Sequence, residues 1–189
     1  MITRYFRPEK QAEYYNNVFK DNKEYSQHYK DSFYFPLWQE VVKQLPEGSE
    51  VIDLGCGTGQ LTRMMHDKGH NVIGLDFSKT AIKTAKKNNP MLKDWFRVAD
   101  IKTKINYSDG YIVCCEVLEH IRYDLDMLRN WRAKGFILTV PYNDDPAHQR
   151  FFRGADSVID YYSQVFSEMQ VTTFVYEKEV IYYLINAIK

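Results

Sequence analysis

Val51-Ile52-Asp53-Leu54-Gly55-Cys56-Gly57-Thr58-Gly59-Gln60 is the stretch that decides the fold of this 189-residue chain. In it, an apolar run meets an acidic residue and then three glycines at alternate positions. A second acid, Asp76, ends the next apolar run, residues 72–75. A glycine turn lets the backbone approach a ligand, and a carboxylate ending the second strand binds ribose hydroxyls in α/β proteins. The pattern therefore predicts a nucleoside site.

The glycine spacing separates this stretch from dinucleotide-binding proteins. Their fingerprint is G-x-G-x-x-G, beside a pyrophosphate, whereas this chain has G-x-G-x-G with Asp53 two residues before Gly55. A carboxylate so close would repel a pyrophosphate, but it suits a cationic ligand. We therefore rank a nicotinamide dehydrogenase last among the functions considered.

The segment from Asp53 to Gly59 resembles the first motif of class I S-adenosylmethionine-dependent methyltransferases. The resemblance implies a Rossmann-like fold in which the glycine turn passes under the methionine and ribose parts of the cofactor. It further implies that Asp76 takes the ribose hydroxyls and that Phe77 lies along the adenine. The cofactor-binding residues implied in this way are Asp53, Gly55, Cys56, Gly57, Gly59, Tyr29, Asp76, Phe77, Asp100, Ile101 and Glu116.

Asp100 and Ile101 follow the third predicted strand. By the same resemblance, Asp100 accepts a hydrogen bond from the adenine amino group and Ile101 packs on the ring. The alternative for Asp100 is an ordinary turn acid. We favour the adenine role because Asp100 stands at a strand end in the expected order.

Helix and strand alternate along the chain, which predicts a single domain over 1–189 with a helical cap at 1–45 and the core at 46–189. The predicted strands are 51–54, 71–76, 95–99, 111–115, 136–140, 171–176 and 179–187. A helix capped by Ser78 and stopped by Pro90 and a helix reaching Met169 are among the elements between them. The order predicts a mostly parallel seven-stranded sheet with an antiparallel C-terminal hairpin, as the methyltransferase resemblance implies.

Glu116-Val117-Leu118-Glu119-His120 is the second informative segment. It resembles a motif found after the fourth strand in many methyltransferases of small molecules, including the ubiquinone-biosynthesis O-methyltransferases. Glu116, Glu119 and His120 are spaced i, i+3, i+4, so all three share one face if a helix begins here. The sequence predicts that this face lies at the ligand edge of the sheet.

Two interpretations of that face compete. In one, the two glutamates and His120 bind a divalent metal together with His148, as in the enzymes that methylate the 3′-terminal 2′-hydroxyl of small RNAs. In the other, His120 or His148 is a general base that Glu119 orients. We favour the base, so the predicted catalytic residues are His120, His148 and Glu119, and a divalent metal is the alternative. The loop 141–152 has no second histidine near His148, which disfavours RNA as the acceptor.

The predicted function is methyl transfer from S-adenosylmethionine to a hydroxyl or amine of a small molecule. A metal-dependent RNA 3′-terminal 2′-O-methyltransferase ranks second, and a non-catalytic S-adenosylmethionine-binding partner or sensor ranks third. The net charge is zero, which gives no sign of a nucleic-acid surface. The sequence does not predict an oligomeric state.

Cysteine usage and hydropathy predict the compartment. Cys114 and Cys115 are neighbours in a predicted strand and point to opposite faces, which makes them poor disulfide partners. Residues 1–7 lack the apolar segment of a signal peptide, and no apolar run is long enough to span a bilayer. We therefore expect a cytoplasmic protein without a membrane partner.

Fifteen tyrosines are present, six of them before residue 36. We expect most of them to pack the helical cap on the sheet, since tyrosine is an amphipathic ring. Tyr25, His28 and Tyr29 precede the first strand, where the cap of the resembled family closes over the cofactor. They are the residues of this region that we expect to matter for binding.

Overall fold

The computed structural model of the protein describes residues 2–4, 7–176 and 180–189. The strands are β1 Ile2–Arg4, β2 Glu50–Leu54, β3 Asn71–Asp76, β4 Phe96–Val98, β5 Asn106–Cys115, β6 Arg132–Pro141, β7 Arg150–Phe152, β8 Glu168–Tyr176 and β9 Val180–Ile188. The α-helices are α1 Ala12–Asp21, α2 Phe35–Lys43, α3 Gln60–Asp67, α4 Lys79–Asn88, α5 Asp124–Asn130 and α6 Ala155–Tyr162. Short 3-10 helices cover Lys23–Ser26, Tyr29–Asp31, Pro90–Trp95 and Leu118–His120.

The chain divides into two compact units, each described separately here. One is Lys10–Thr103, and the other combines Met1–Glu9 with Lys104–Lys189. The single domain over 1–189 stays a prediction. None of the helices in the described part of the chain is long and apolar enough to cross a membrane.

The unit Lys10–Thr103 contains three parallel strands in the order β4-β3-β2. Val51 and Leu54 of β2 have no exposed surface, as expected for a strand covered on both faces. Parallel strands end at the same edge of a sheet, so the register brings Asp53 level with Gly74, two residues before Asp76. The two acids that the sequence singles out therefore lie near one edge.

The helices of this unit follow the local signals in the sequence. The side chain of Ser78 accepts a hydrogen bond from the amide of Ala81 at 3.0 Å, which makes it the predicted cap of α4. The helix ends at Asn88, two residues before Pro90. In the cap region, α1, α2 and two 3-10 helices confirm the predicted helices, but β1 is a strand that the prediction for 1–45 did not contain.

The second unit contains four strands in the order β5-β6-β9-β8. Strands β5 and β6 are parallel, whereas β9 is antiparallel to both β6 and β8. The predicted C-terminal hairpin is thus present as a strand pair, and its turn, predicted at residues 177–178, lies outside the described residues. Strand β7 pairs with β1 in a separate antiparallel pair.

Several predicted boundaries in this unit are wrong, and two of them show the reason. The helix that we expected to reach Met169 ends at Tyr162, and Met169 belongs to β8, where it pairs with Ala187. Strand β5 begins at Asn106 and not at residue 111, because its polar first residues pair with the start of β6. In both cases strand pairing with a distant segment sets the boundary, and local periodicity carries no sign of it.

The two units together contain the seven strands predicted for the sheet. The pairs β2–β3, β3–β4 and β5–β6 are parallel, and β9 is antiparallel to both β6 and β8. The predicted mostly parallel sheet with antiparallel C-terminal strands is therefore confirmed. Cys56, Cys114 and Cys115 form no disulfide with any of the described residues.

Candidate functional site

The three glycines between β2 and α3 form a tight turn. Their φ angles are +75° at Gly55, +53° at Gly57 and +81° at Gly59. The amides of Gly55 and Cys56 both donate to the carbonyl of Leu75, at 2.8 and 3.0 Å, which fixes the turn to β3. Because glycine has no Cβ, it adopts positive φ without a steric cost. The alternation of glycines in the sequence is therefore a requirement of this turn.

Asp76 holds the turn from the end of β3. Its Oδ2 accepts a hydrogen bond from the amide of Gly57 at 3.0 Å, and its Oδ1 accepts one from the amide of Ser78 at 2.7 Å. The side chain is buried, which raises the pKa of its carboxyl, while the two amides lower it. Each carboxylate oxygen can accept a further hydrogen bond. Its predicted role as a ribose ligand stays a prediction, compatible with this arrangement.

Asp53 lies beneath the turn and is almost completely buried. Its Oδ2 accepts a hydrogen bond from the hydroxyl of Thr62 at 2.6 Å. Burial raises the pKa of Asp53 to about 7, against the lowering effect of that hydroxyl. Thr62 was not predicted, since a threonine inside a helix gives no local sign of such a contact. A cationic ligand near Asp53 would favour its ionised form.

The residues predicted to surround the adenine occupy different environments. The ring of Phe77 lies against the ring of Tyr15, with centroids 5.4 Å apart. Asp100 is exposed, and its Oδ1 accepts a hydrogen bond from the amide of Lys102 at 2.9 Å, as the turn-acid alternative predicts. The Ile101 side chain is buried. The adenine roles of Phe77, Asp100 and Ile101 stay predictions.

The cap contributes aromatic side chains to the region of the glycine turn. A Cβ placed on Gly57 would lie 3.3 Å from the ring of Phe19, which shows how closely this α1 residue covers the turn. The ring of Tyr25 contacts the ring of Phe19, with centroids 5.1 Å apart. Phe19 was not predicted as a site residue. Tyr29, which was, is buried and donates its hydroxyl to Asp67 at the end of α3, at 3.2 Å, so its cofactor role stays a prediction.

Glu116 belongs to the other unit and directly follows β5. Among the described non-glycine residues it alone has a positive φ, +56°, and such strained backbone is concentrated at functional sites. Its Oε1 accepts a hydrogen bond from the hydroxyl of Thr139 at 2.8 Å. The prediction that an α-helix begins at Glu116 is wrong. Leu118–His120 forms only one 3-10 turn, and Glu116 precedes it.

Glu119, His120 and His148 nevertheless come together. One possible ligand atom of each lies within 4.8 Å of the other two. Glu119 Oε1 is 3.6 Å from His120 Nε2, and the two imidazole centroids are 4.9 Å apart. The three predicted catalytic residues therefore form one cluster, the Glu119–His120–His148 group. The helical face predicted for Glu116, Glu119 and His120 does not exist.

The backbone fixes both imidazoles in the same way. His120 Nδ1 lies 3.3 Å from the carbonyl of Ala147, and His148 Nδ1 lies 3.2 Å from the carbonyl of Asn143. A carbonyl oxygen can only accept, so these contacts place a proton on each Nδ1 and a lone pair on each Nε2. The Nε2 atoms are therefore the positions able to take a proton or bind a metal.

Burial sets the charge of the group. It raises the pKa of Glu119 well above its usual range, and Glu116 raises it further. It raises the pKa of Glu116 to about 8 and lowers the pKa of His120 to about 4. Burial also lowers the pKa of His148, against the opposing effect of Asp145. At neutral pH the protons therefore reside on the carboxyls and both imidazoles are uncharged.

The residues fit a divalent metal as well. Glu119 Oε2 is buried and has no hydrogen-bond partner among the residues that the structure describes. A buried acceptor without a partner is costly, and a metal ion would satisfy it. Imidazoles that donate Nδ1–H to a carbonyl are also the usual form of metal-binding histidine. One carboxylate and two imidazoles suit Mn²⁺ or Fe²⁺.

Arg150 supports the turn that carries Glu119 and His120. Its guanidinium donates to the carbonyls of Leu118 at 2.8 Å and Ile121 at 2.6 Å, and it forms an ion pair with Asp124 at 3.0 Å. Both side chains of the pair are buried. Gln149, the residue before it, donates its amide to the carbonyl of Glu119 at 2.7 Å. Sequence reasoning missed Arg150 because nothing near it signals contact with a turn about thirty residues earlier.

Comparison with known proteins gives the family of the central segment. Residues 51–133 match the family model described as a methyltransferase domain. A ubiquinone biosynthesis O-methyltransferase of Coxiella burnetii is 33% identical over 91 residues, which are 46% of this chain and 39% of that protein. The chain spans about two fifths of the curated relatives that it matches first.

Solved structures share the fold at low sequence identity. The magnesium protoporphyrin IX methyltransferase of Synechocystis PCC 6803, with bound SAH, has a TM-score of 0.63 and 18% identity, over 80% of this chain and 82% of that one. A small RNA methyltransferase has a TM-score of 0.65 and 17% identity, over 80% of this chain and 25% of that one. The predicted Rossmann-like fold and the resemblance to class I S-adenosylmethionine-dependent methyltransferases are confirmed, and residues 51–133 are similar to a methyltransferase domain.

Proposed function

We propose that the protein transfers the methyl group of S-adenosylmethionine to a hydroxyl or amine of a small molecule. The methyltransferase-domain match over residues 51–133 supports the reaction class. The pairing of the glycine turn with Asp76 supports the cofactor, because the amide of Gly57 and the carboxylate that binds it form one preorganised unit. The similarity to an O-methyltransferase of ubiquinone biosynthesis supports a small acceptor.

The cofactor is proposed to bind at the turn in the unit Lys10–Thr103. Asp76 takes the ribose hydroxyls, and Asp53 stabilises the positively charged methionine part from below. Phe77, Asp100 and Ile101 surround the adenine. Tyr29 and Glu116 complete the proposed set, which also includes Gly55, Cys56, Gly57 and Gly59.

The Glu119–His120–His148 group is the observation that carries the acceptor chemistry. One Nε2 lone pair accepts the proton of the acceptor while its oxygen or nitrogen bonds to the methyl carbon and the carbon–sulfur bond breaks, leaving S-adenosylhomocysteine. A neutral imidazole is required for this step, and burial keeps both imidazoles neutral at physiological pH. The sulfonium is already activated, so alignment and exclusion of water supply the rest of the catalysis.

Methyl-labelled S-adenosylmethionine tests the proposal. The wild-type protein is incubated with metabolite and RNA pools, and label is measured in each. We expect label in metabolites, and His120→Ala should slow the transfer far more than it weakens cofactor binding. Equal losses of both would assign His120 a structural role. Tight cofactor binding without transfer to any pool would indicate a non-catalytic partner or sensor instead.

A metal-dependent RNA 2′-O-methyltransferase is the second candidate. It is favoured by the buried Glu119 Oε2, which has no hydrogen-bond partner among the described residues, and by two nearby imidazoles whose Nδ1 atoms bind carbonyls. Glu119, His120 and His148 would hold the ion, which when bound would polarise a ribose hydroxyl. Glu116, the fourth predicted ligand, is not a member of this group. Its test is calorimetric titration of Mn²⁺ into the chelator-treated protein, with Glu119→Gln as the variant and Glu47→Gln as an exposed control. Absence of binding, together with activity that is indifferent to EDTA, would exclude it.

A further inference from the structure

Arg153 is a charged side chain outside the catalytic group that has a defined position. Its guanidinium carbon lies 4.6 Å from the centroid of the Tyr142 ring and 4.4 Å from that of the Phe151 ring. Guanidinium groups stack on aromatic faces, and two rings at these distances restrict the orientation of the group. The side chain is therefore held although it is exposed.

Arg153 lacks the carboxylate partner that three other arginines of its unit have. Arg7 pairs with Asp144, Arg129 with Asp126 and Arg150 with Asp124. No carboxylate of the described residues pairs with Arg153. A guanidinium that is already ordered and whose N–H groups bind no carboxylate is suited to bidentate binding of a carboxylate or phosphate. Because the fold already restricts its orientation, binding costs less side-chain entropy.

Other groups near Arg153 also bear on whether an anion could bind there. Burial raises the pKa of the Tyr183 phenol, Tyr142 raises it further and Arg153 lowers it, which shows that these three side chains interact electrostatically. Helix α6 begins two residues after Arg153 and has Gly154 at its N-cap without a side-chain cap. Its positive end favours an anion, while Asp156 in its first turn partly opposes that effect.

Chain connectivity and strand register place Arg153 and its two rings relative to the Glu119–His120–His148 group. Tyr142 directly follows the last residue of β6, and its amide donates to the carbonyl of Ile181 at 3.0 Å. Strand β6 is parallel to β5, and the register pairs Thr139 with Cys115, the residue before Glu116. Phe151 is in β7, next to Arg150, which binds the turn carrying Glu119. Arg153 therefore belongs to the same edge of its unit as the proposed general base.

We propose that Arg153, held between Tyr142 and Phe151, binds a carboxylate or phosphate group of the methyl acceptor. The inference rests on the proposed function and narrows it, because it makes the acceptor an anionic small molecule. Arg153 acts as a specificity-determining residue and takes no part in proton transfer. The oxyanion receives two parallel N–H donors from the guanidinium, with Tyr142 positioning that group.

Inorganic phosphate is the probe for the site itself. The Nε–Hε signals of the arginines are followed by nuclear magnetic resonance as phosphate or acetate is added, with sodium chloride keeping the ionic strength constant. We expect a saturable shift of the signal that disappears in Arg153→Gln, and no such shift with chloride alone. A shift of equal size at Arg129, or one linear in phosphate, would show nonspecific screening and overturn the proposal.

Transfer of labelled methyl groups tests the site in catalysis. The metabolite pool is divided by anion exchange, and wild type, Arg153→Gln and Arg153→Lys are compared with Arg129→Gln, an exposed arginine in the same unit. Label should enter the anionic fraction, and at subsaturating acceptor Arg153→Gln should slow that transfer about 10- to 100-fold, as expected for loss of charged hydrogen bonds. Arg153→Lys should be intermediate, because it keeps the charge but not the planar fork.

The possible results distinguish failure of the anion site from failure of the proposed methyltransferase function. Label confined to uncharged metabolites, or equal rates in Arg153→Gln and wild type, would overturn the anion site and leave the methyltransferase intact. Label in RNA that is lost in Arg153→Gln would support the site and contradict the small-molecule acceptor. If no pool is labelled, the proposed function fails, and the phosphate titration decides the site alone.

Discussion

Three aspartates near strand ends show how environment separates residues that look alike in the sequence. Asp76 binds two backbone amides, Asp53 is buried with one hydroxyl partner, and Asp100 is exposed in a turn. Their strand-end positions could be predicted from the apolar runs before them. Their partners could not, because Thr62 lies on the following helix and the amide of Gly57 is presented by the conformation of the turn.

Asp76→Ala should weaken binding of S-adenosylmethionine by about 1–3 kcal/mol, the range for a charged hydrogen bond. The loss includes loosening of the turn, because the amides of Gly57 and Ser78 lose their acceptor. Titration calorimetry measures the dissociation constant, and Asp94→Ala, an exposed acid of the same unit, is the matched control. Unchanged affinity in Asp76→Ala would contradict the ribose assignment.

Asp53 predicts a pH dependence of stability. Its pKa in the folded protein is raised to about 7, so the unfolded chain loses this proton first as the pH rises, and stability falls between about pH 4 and pH 7. The full effect is on the order of 4 kcal/mol. Urea unfolding should therefore show that the free energy of unfolding of Asp53→Asn rises relative to that of wild type from about pH 4 to pH 7.

Asp94→Asn, whose side chain is exposed, should track wild type at every pH. A stability difference between Asp53→Asn and wild type that stays constant from about pH 4 to pH 7 would contradict the raised pKa. The same ionisation predicts that wild type binds a cationic cofactor more tightly as the pH rises through about 7. The affinity of Asp53→Asn for the cofactor should not show that trend.

At the scale of elements, local signals located most of the fold. Strand β3 and the capped helix α4 agree with prediction because apolar run, serine cap and proline stop all act within a few residues. The Glu119–His120–His148 group does not depend on the helix that the sequence predicted there. Its members follow the ends of β5 and β6, and parallel register brings those ends together without a helical face.

The 3-10 turn Leu118–His120 depends on Arg150, so Arg150→Met should cost about 3–5 kcal/mol of unfolding free energy. The variant leaves Asp124 buried beside two tyrosine hydroxyls, without its cation. Arg129→Met breaks an exposed pair with Asp126 and should cost no more than about 1 kcal/mol. Chemical denaturation compares the two, and similar losses would mean that Arg150 does not organise the turn.

At the scale of the whole molecule, the chain order differs from the spatial grouping. Residues near the N-terminus belong with the C-terminal unit, where β1 pairs with β7. Arg7 binds Asp144 and the carbonyl of Asp145, and Glu9 accepts the amide of Arg122. No local pattern could predict this, because contacts between the two ends of a chain leave no periodicity.

Arg7→Gln combined with Glu9→Gln should loosen the loop that carries His148 while leaving the unit Lys10–Thr103 unchanged. Both substitutions remove charge-assisted contacts to residues 122 and 144–145. Hydrogen exchange should rise in residues 118–123 and 143–148 and stay constant in α3 and α4. Uniform acceleration throughout the chain would indicate global destabilisation, and Lys10→Gln serves as the neighbouring surface control.

The ring of Phe96 has a consequence for how this chain can vary. A Cβ on Gly59 would lie 2.6 Å from that ring, and one on Gly74 would lie 2.8 Å from it. Gly59 also needs its positive φ, whereas space alone restricts Gly74. A Cβ at position 74 would also lie 3.0 Å from the sulfur of Cys56. Tolerance at position 74 is thus conditional on positions 96 and 56, a case of epistasis. A smaller side chain at 96 removes the shorter of these contacts, so an evolutionary path to alanine at 74 is easier when the change at 96 comes first.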